Sequence, residues 1–223
     1  MDEEVQSSYV YPKGYKVKGI TEQTNILRQL FPGIGNALEK LADQPLPPNA
    51  EGWFDIPKWE KFAPTYGEAV TGVLATIGFK RNFYNYRDRQ LRAEYLRQHA
   101  CTAKMFQKLG DEQKDHDILV IPAQFGLRHR GRSVRRARGV FTDNEFGLGA
   151  FAIGMMLLTH PEREVQWEQL HVNCAGDEFS PGADGDFSHA PLFYFGGGGV
   201  EFGARWYVGA HEYYGSTSAF VSQ

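Results

Sequence analysis

Apolar positions recur along the chain at two different spacings, and the change from one to the other orders its elements. From Thr21 to Leu30 the spacing is helical, and Pro32 with Gly33 closes it. Asn36 and Glu39 stand three apart, as in a capping box, where each side chain satisfies a free N–H at a helix start. That predicts a short helix over Ala37 to Ala42. Thr65 and Glu68 repeat the spacing ahead of Ala69, Val70, Val73, Leu74 and Ile77, which share one helical face. A longer helix is predicted after Asp88, with Leu91, Tyr95, Leu96, Ala103, Phe106 and Leu109 inward and Gly110 at its C-terminal end. Thr142 and Glu145 form a third box, opening FGLGAFAIGMMLL. This stretch is apolar all round, which predicts a central buried helix. Its glycines at 147, 149 and 154 lower helix propensity, so they mark places where a neighbour comes close.

The other spacing is that of strands. DILVIP, Asp117 to Pro122, is a short β-branched run and predicts a buried strand. Residues 165–174 predict another, followed by a polar, glycine-rich loop over 175–191. LFYF, GGGG and VEFGARWYV then read as a hairpin. Val200, Phe202, Ala204, Trp206 and Val208 alternate with Glu201, Gly203, Arg205 and Tyr207, the period of a half-buried strand. Residues 45–64 hold five prolines and neither period, so they predict an irregular wrap pinned by Trp53, Phe54, Trp59 and Phe62. Residues 1–20 read as a tail with a short strand, and 21–223 as a single domain. The predicted fold class is α+β: a mostly helical first part with a central buried helix, and a strand-rich C-terminal third with a β-hairpin.

Composition sharpens this picture at few points. A chain of 223 residues, 42% hydrophobic and 14% aromatic, can bury a full core. The opening MDEEVQSSYV has neither the basic nor the apolar part of a secretory signal. The longest uncharged apolar run, Phe146 to Leu158, falls short of the roughly 18–20 residues of a membrane span. Cys101 and Cys174 have no CxxC partner and read as two reduced thiols. The expectation is a soluble cytoplasmic protein with no membrane partner.

Charge changes the picture more. The formal net charge is −3, yet Arg128, Arg130, Arg132, Arg135, Arg136 and Arg138 fall within eleven residues that hold no acid. A second basic stretch, 80–97, holds Lys80, Arg81, Arg87, Arg89, Arg92 and Arg97 against Asp88 and Glu94. These two islands contain twelve of the 24 basic residues and two of the 27 acids, so the rest of the chain carries −13. In the first island Ser133 can cap a short helix, while Gly131 breaks the segment before it. Free N–H groups beside guanidinium forks favour phosphate or carboxylate, and six arginines in place of lysines favour planar contacts. The competing expectation is that the segment answers the acidic body, for instance Asp111, Glu112, Asp115 and Asp117. In the second island Tyr84 and Tyr86 stand beside Arg81, Arg87 and Arg89, as in single-strand binders, where bases stack while cations follow the backbone. No RNP consensus or GXXG loop accompanies them.

Asp177, Glu178, Asp184 and Asp186 are the candidate metal ligands, oxygen donors for a divalent cation. The EF-hand spacing is missing, so a solvated turn is the plainer expectation. His116, between Asp115 and Asp117, and His171, before Cys174, offer general-base arrangements, though each is more often a surface or core histidine, and His211 in HEYYG lacks the second histidine of HExxH. GxSxG, HExxH, P-loop and GxGxxG patterns are absent.

GWFDIPKWEKFAPTYGEAV, IPAQFGLRHRGRSVRRAR and NEFGLGAFAIGMMLLTHPER together resemble a family of bacterial hypothetical proteins, over roughly residues 45–190. The resemblance implies a bacterial or mobile-element origin and brings no functional residue with it.

Three functions follow from these residues. The first is polyanion binding, nucleic acid above all, through the two basic islands and without a cofactor. The second is a homo-oligomer in which basic islands meet the acidic body of a neighbouring copy. The third is an enzyme on a phosphorylated or nucleic-acid substrate, using a divalent metal on the four carboxylates. The sequence names no reaction, and whether the protein is an enzyme stays open at this stage.

Overall fold

The computed structural model describes residues 3–221. Two sheets and five helices share one main apolar core. The helices are α1 (Ile20–Leu30), α2 (Tyr66–Lys80), α3 (Ala100–Glu112), α4 (Val134–Gly139) and α5 (Ala150–Thr159). Strands β1 (Gly52–Pro57), β4 (Ile118–Gln124), β5 (Glu145–Gly147) and β11 (Ser218–Phe220) form an antiparallel sheet in the order β1-β4-β11-β5. The second sheet runs β10 (Tyr214–Ser216), β6 (His171–Asn173), β8 (His189–Gly196), β7 (Asp177–Phe179), β3 (Leu96–Gln98). The long strand β8 also pairs with β9 (Gly199–Trp206), which carries β2 (Phe83–Asn85) in parallel. The fold is α+β, with most strands in the C-terminal half.

All ten residues of α5 are buried, between α2, α1 and β1. A helix enclosed this way needs apolar residues on every face, as its sequence has. A Cβ at Gly154 would overlap the Val73 side chain of α2, so this glycine admits a close neighbour as the sequence suggested. β4 is likewise buried at all seven positions. The β8–β9 hairpin turns through Gly197 and Gly198, both at positive φ, where a side chain is strained. Among the described residues, no helix is long and apolar enough to cross a membrane.

Several expectations are corrected. Residues 45–64 contain β1, which escapes the period-two pattern because five of its six positions are buried. Phe54 is buried, and Trp53, Trp59 and Phe62 pack against the core as expected. The predicted helix over Ala37 to Ala42 is a 3-10 turn at Glu39–Asp43, because Asn36 accepts from Arg28 instead of capping. The helix predicted after Asp88 begins only at Ala100. Leu91 and Leu96 are buried, but from a loop and a strand, and the first part therefore alternates helices with β1 to β4. Glu145 accepts from the Thr142 N–H (3.3 Å), yet the chain then extends as β5, and α5 starts at Ala150. Residues 165–174 shorten to β6, and the loop over 175–191 contains β7 and the start of β8. Residues 3–19, up to α1, form no strand. They make isolated bridges from Glu4 to Arg132 and from Val10 to Gln169.

Candidate functional site

The arginine segment leaves β4 through a 3-10 turn, Leu127–His129, and enters α4. Arg128 Nε donates to both oxygens of the buried Glu145 carboxylate (3.1 and 3.2 Å). The same carboxylate takes the Ser218 hydroxyl (2.6 Å) and lies 2.7 Å from His129 Nε2. Arg132 Nη1 is 3.2 Å from His129 Nδ1. A guanidinium only donates, so Nδ1 accepts and Nε2–H donates to Glu145. Burial raises the Glu145 pKa, but the hydrogen bonds from His129 and Ser218 and the Arg128 charge outweigh it and hold it at about 2.

The remaining arginines of this segment are also engaged. Arg130 donates to the Tyr9 carbonyl (3.1 Å), and Arg138 to the carbonyls of Ala175 (2.8 Å) and Asp177 (2.7 Å). Arg132 and Arg136 pair with Glu4 (2.9 and 3.3 Å), and Arg135 with Glu3. The hydrogen bonds from Arg135 and Ser133 draw the Glu3 pKa down to about 2. Backbone bonds lay the N-terminal tail along this surface, from Val5 N–H to the Gly131 carbonyl and from Ser133 N–H to the Glu3 carbonyl. Ser133 caps α4 by accepting from Arg136 N–H, and Arg135 N–H donates to the Tyr207 carbonyl. These amides are therefore not free for an anion. The segment does answer the protein's own acids, but not those named from the sequence: Asp117 pairs with Lys61 and Glu112 with Lys108.

The second island divides in two. Arg81 is structural, donating to the carbonyls of Pro161 (3.0 Å), Arg163 (3.0 Å) and Glu164. Arg87 lies over the Phe179 ring and reaches the Ala204 carbonyl (3.4 Å). Arg89, Arg92 and Arg97, by contrast, line one open groove of about 840 Å³ together with Leu91, Leu96 and Tyr66. Their side chains are 93%, 75% and 54% exposed, and their acidic neighbours are Asp88, Glu94 and Glu178. Tyr84 and Tyr86 are exposed and meet edge to face, with ring centroids 4.5 Å apart, beside Glu201 in a separate hollow.

The four candidate metal ligands do not converge. Glu178 pairs with Arg97 (2.8 Å), Asp184 accepts from Ser180 and from Asp186 N–H, and Asp186 accepts from Ser188. Among the described residues no three His, Cys, Asp or Glu side chains gather to hold a metal. Asp177 instead turns inward. Its carboxylate accepts the Ala150 N–H at the start of α5 (2.6 Å) and the Tyr66 hydroxyl (2.8 and 3.0 Å). Burial pushes its pKa up to about 7 against these bonds. The sequence reading missed Tyr66, Glu145, His129, Glu3 and Glu4. The Thr142–Glu145 spacing was the one local signal among them, and it pointed to a helix start.

The chain matches no family model, no curated protein and no solved structure.

Proposed function

We propose that the protein binds polyanions, nucleic-acid strands in particular, and that Arg89, Arg92 and Arg97 are the contacts first available to them. The observation that carries this reading is that these three exposed guanidinium groups line a single groove. Arg89 and Arg92 pair with surface acids, contacts that are worth little and are readily exchanged for phosphate, while Arg97 holds the less exposed Glu178 and lies over the Phe187 ring. Tyr84 and Tyr86 add exposed aromatic rings of the kind that stack on unpaired bases. Arg128 and Arg138 are committed to the fold, while Arg132, Arg135 and Arg136 are paired with Glu3 and Glu4.

The test is binding of labelled single-stranded DNA, RNA and duplex over a range of salt. Three phosphate contacts on a single strand give a slope of about −2 in log K against log salt. Replacing Arg89, Arg92 and Arg97 together with Ala should weaken every sequence alike, because phosphate contacts carry no sequence information. A flat salt dependence, or a triple variant that binds as the parent does, would remove this reading.

A further inference from the structure

A cavity of about 280 Å³ lies between the segment Ile56–Lys61, α3 and the start of α5. It is at the small end of ligand sites, which are mostly apolar with a few placed polar groups. Its walls are Ile56, Trp59, Phe106, Leu119 and Phe151, and Tyr66 closes one side. Trp59 and Tyr66 stand nearly perpendicular, with centroids 5.8 Å apart.

The polar groups select what can enter. Lys58 Nζ is held by the carbonyls of Gln113 (3.0 Å) and Gly110 (3.3 Å), and Lys61 by Asp117. The carbonyls leave the Lys58 charge uncompensated, but Glu60 and Asp111 in the lining oppose an anion, so the two ammonium and two carboxylate groups of the walls balance. A cation would meet the Lys58 ammonium in the wall. The lining thus disfavours net charge of either sign. The Tyr66 hydroxyl spends its proton on Asp177 and meets Phe151 N–H at 3.5 Å, which leaves it acceptor capacity. Gln98 and Gln107 bring amides that no other described residue engages.

The hydroxyl is also fixed in place. A Cβ at Gly149 would overlap both Asp177 and the Tyr66 oxygen, and a Cβ at Gly67 would overlap the Leu91 carbonyl. Tyr66 therefore sits where two glycines let the backbone come close, with its partner Asp177 held in turn by Ala150 N–H.

We propose that this cavity binds a compact, uncharged aromatic molecule carrying one hydroxyl or N–H donor, which it directs to the Tyr66 oxygen and the glutamine amides. Tyr66 and Gln98 also line the basic groove, but Arg89, Arg92 and Arg97 do not line this cavity, so either reading can fail without the other.

The probes are p-cresol, toluene and p-toluate, titrated into the full chain and followed by NMR. Binding of p-cresol is expected at least tenfold tighter than that of toluene, and p-toluate should not bind. Ala152 is a buried lining residue of α5, and Ala152→Leu should abolish p-cresol binding by filling the space. Tyr66→Phe should bring p-cresol down to the level of toluene. Equal binding of cresol and toluene to the unaltered protein would overturn the hydroxyl's role, whatever the variants do. No p-cresol binding at millimolar concentration, or unchanged binding by a folded Ala152→Leu protein, would overturn the site.

Discussion

At the scale of single residues, the buried carboxylates govern how the molecule responds to acid. Glu145 is the centre of a network with Arg128, His129 and Ser218. Glu145→Ala leaves three donors facing an emptied buried site and should cost about 3 kcal/mol in a urea titration. The folded pKa of Glu145 is about 2 against an ordinary 4.5, so its contribution is present above 4.5 and is lost as the pH falls through 2. Asp55 and Asp177 act in the opposite sense. Burial raises both from 3.8 to about 7, so their contribution is complete below 3.8 and is lost as the pH rises through 7. Burial raises Glu51 in the same direction, and it takes Glu164 to about 8. Burial lowers His160 and His171 from 6.5 to about 4, so they take stability away as the pH falls below 6.5 and oppose the acids there. Stability should therefore peak near neutrality, and Asp55→Asn should lessen the decline on the alkaline side of that peak. A urea midpoint that rises steadily to pH 8 would contradict this. None of this was legible in the sequence, because an aspartate in GDEF looks like any turn residue until Tyr66 and Ala150 are seen to enclose it.

At the scale of elements, local signals succeeded where the chain itself closes the interaction. Ser133 and Thr65 each cap the helix that follows them, and the glycine turn of the hairpin is where the alternation placed it. Ser133→Ala should cost about 1 kcal/mol from the lost cap, with a further loss because its hydroxyl also donates to Glu3. The failures came where a distant partner decides. The Thr142–Glu145 box forms its reciprocal bond, but Ser218 and Arg128 take the same carboxylate and the segment pairs with β11 as a strand. The start of α5 is then capped by Asp177, a residue far along the chain. That a neighbour comes close to α5 was readable from Gly154, but that this neighbour is α2 was not. Gly154→Ala should destabilise by about 1–3 kcal/mol, because the added methyl meets Val73 in a filled core. A thermal melt unchanged by that substitution would show that the two helices can separate at no cost.

At the scale of the whole molecule, the charge asymmetry visible in the sequence resolves into an internal arrangement. Three arginines of the first island pair with two glutamates of the tail, and the tail's course over residues 3–11 follows that surface through Gly131, Ser133, Tyr9 and Tyr11. Sequence patterning could count the charges but not pair them, since the partners stand more than a hundred residues apart. Replacing Glu3 and Glu4 with Gln should loosen the tail and expose Arg132, Arg135 and Arg136. Polyanion affinity should then rise severalfold with a steeper salt slope, and amide exchange at Val5 should speed up. Unchanged affinity together with faster exchange would mean that the uncovered arginines do not recruit phosphate. The sheet β1-β4-β11-β5 was the least legible feature of all, because its four strands are scattered from residue 52 to residue 220.

That order has a consequence for biosynthesis. β11 lies between β4 and β5, so two strands already outside the ribosome wait with open edges until residues 218–220 emerge. A chain truncated after Thr217 should therefore be captured by chaperones or aggregate, because β4 and β5 would keep the edges that residues 218–220 cover.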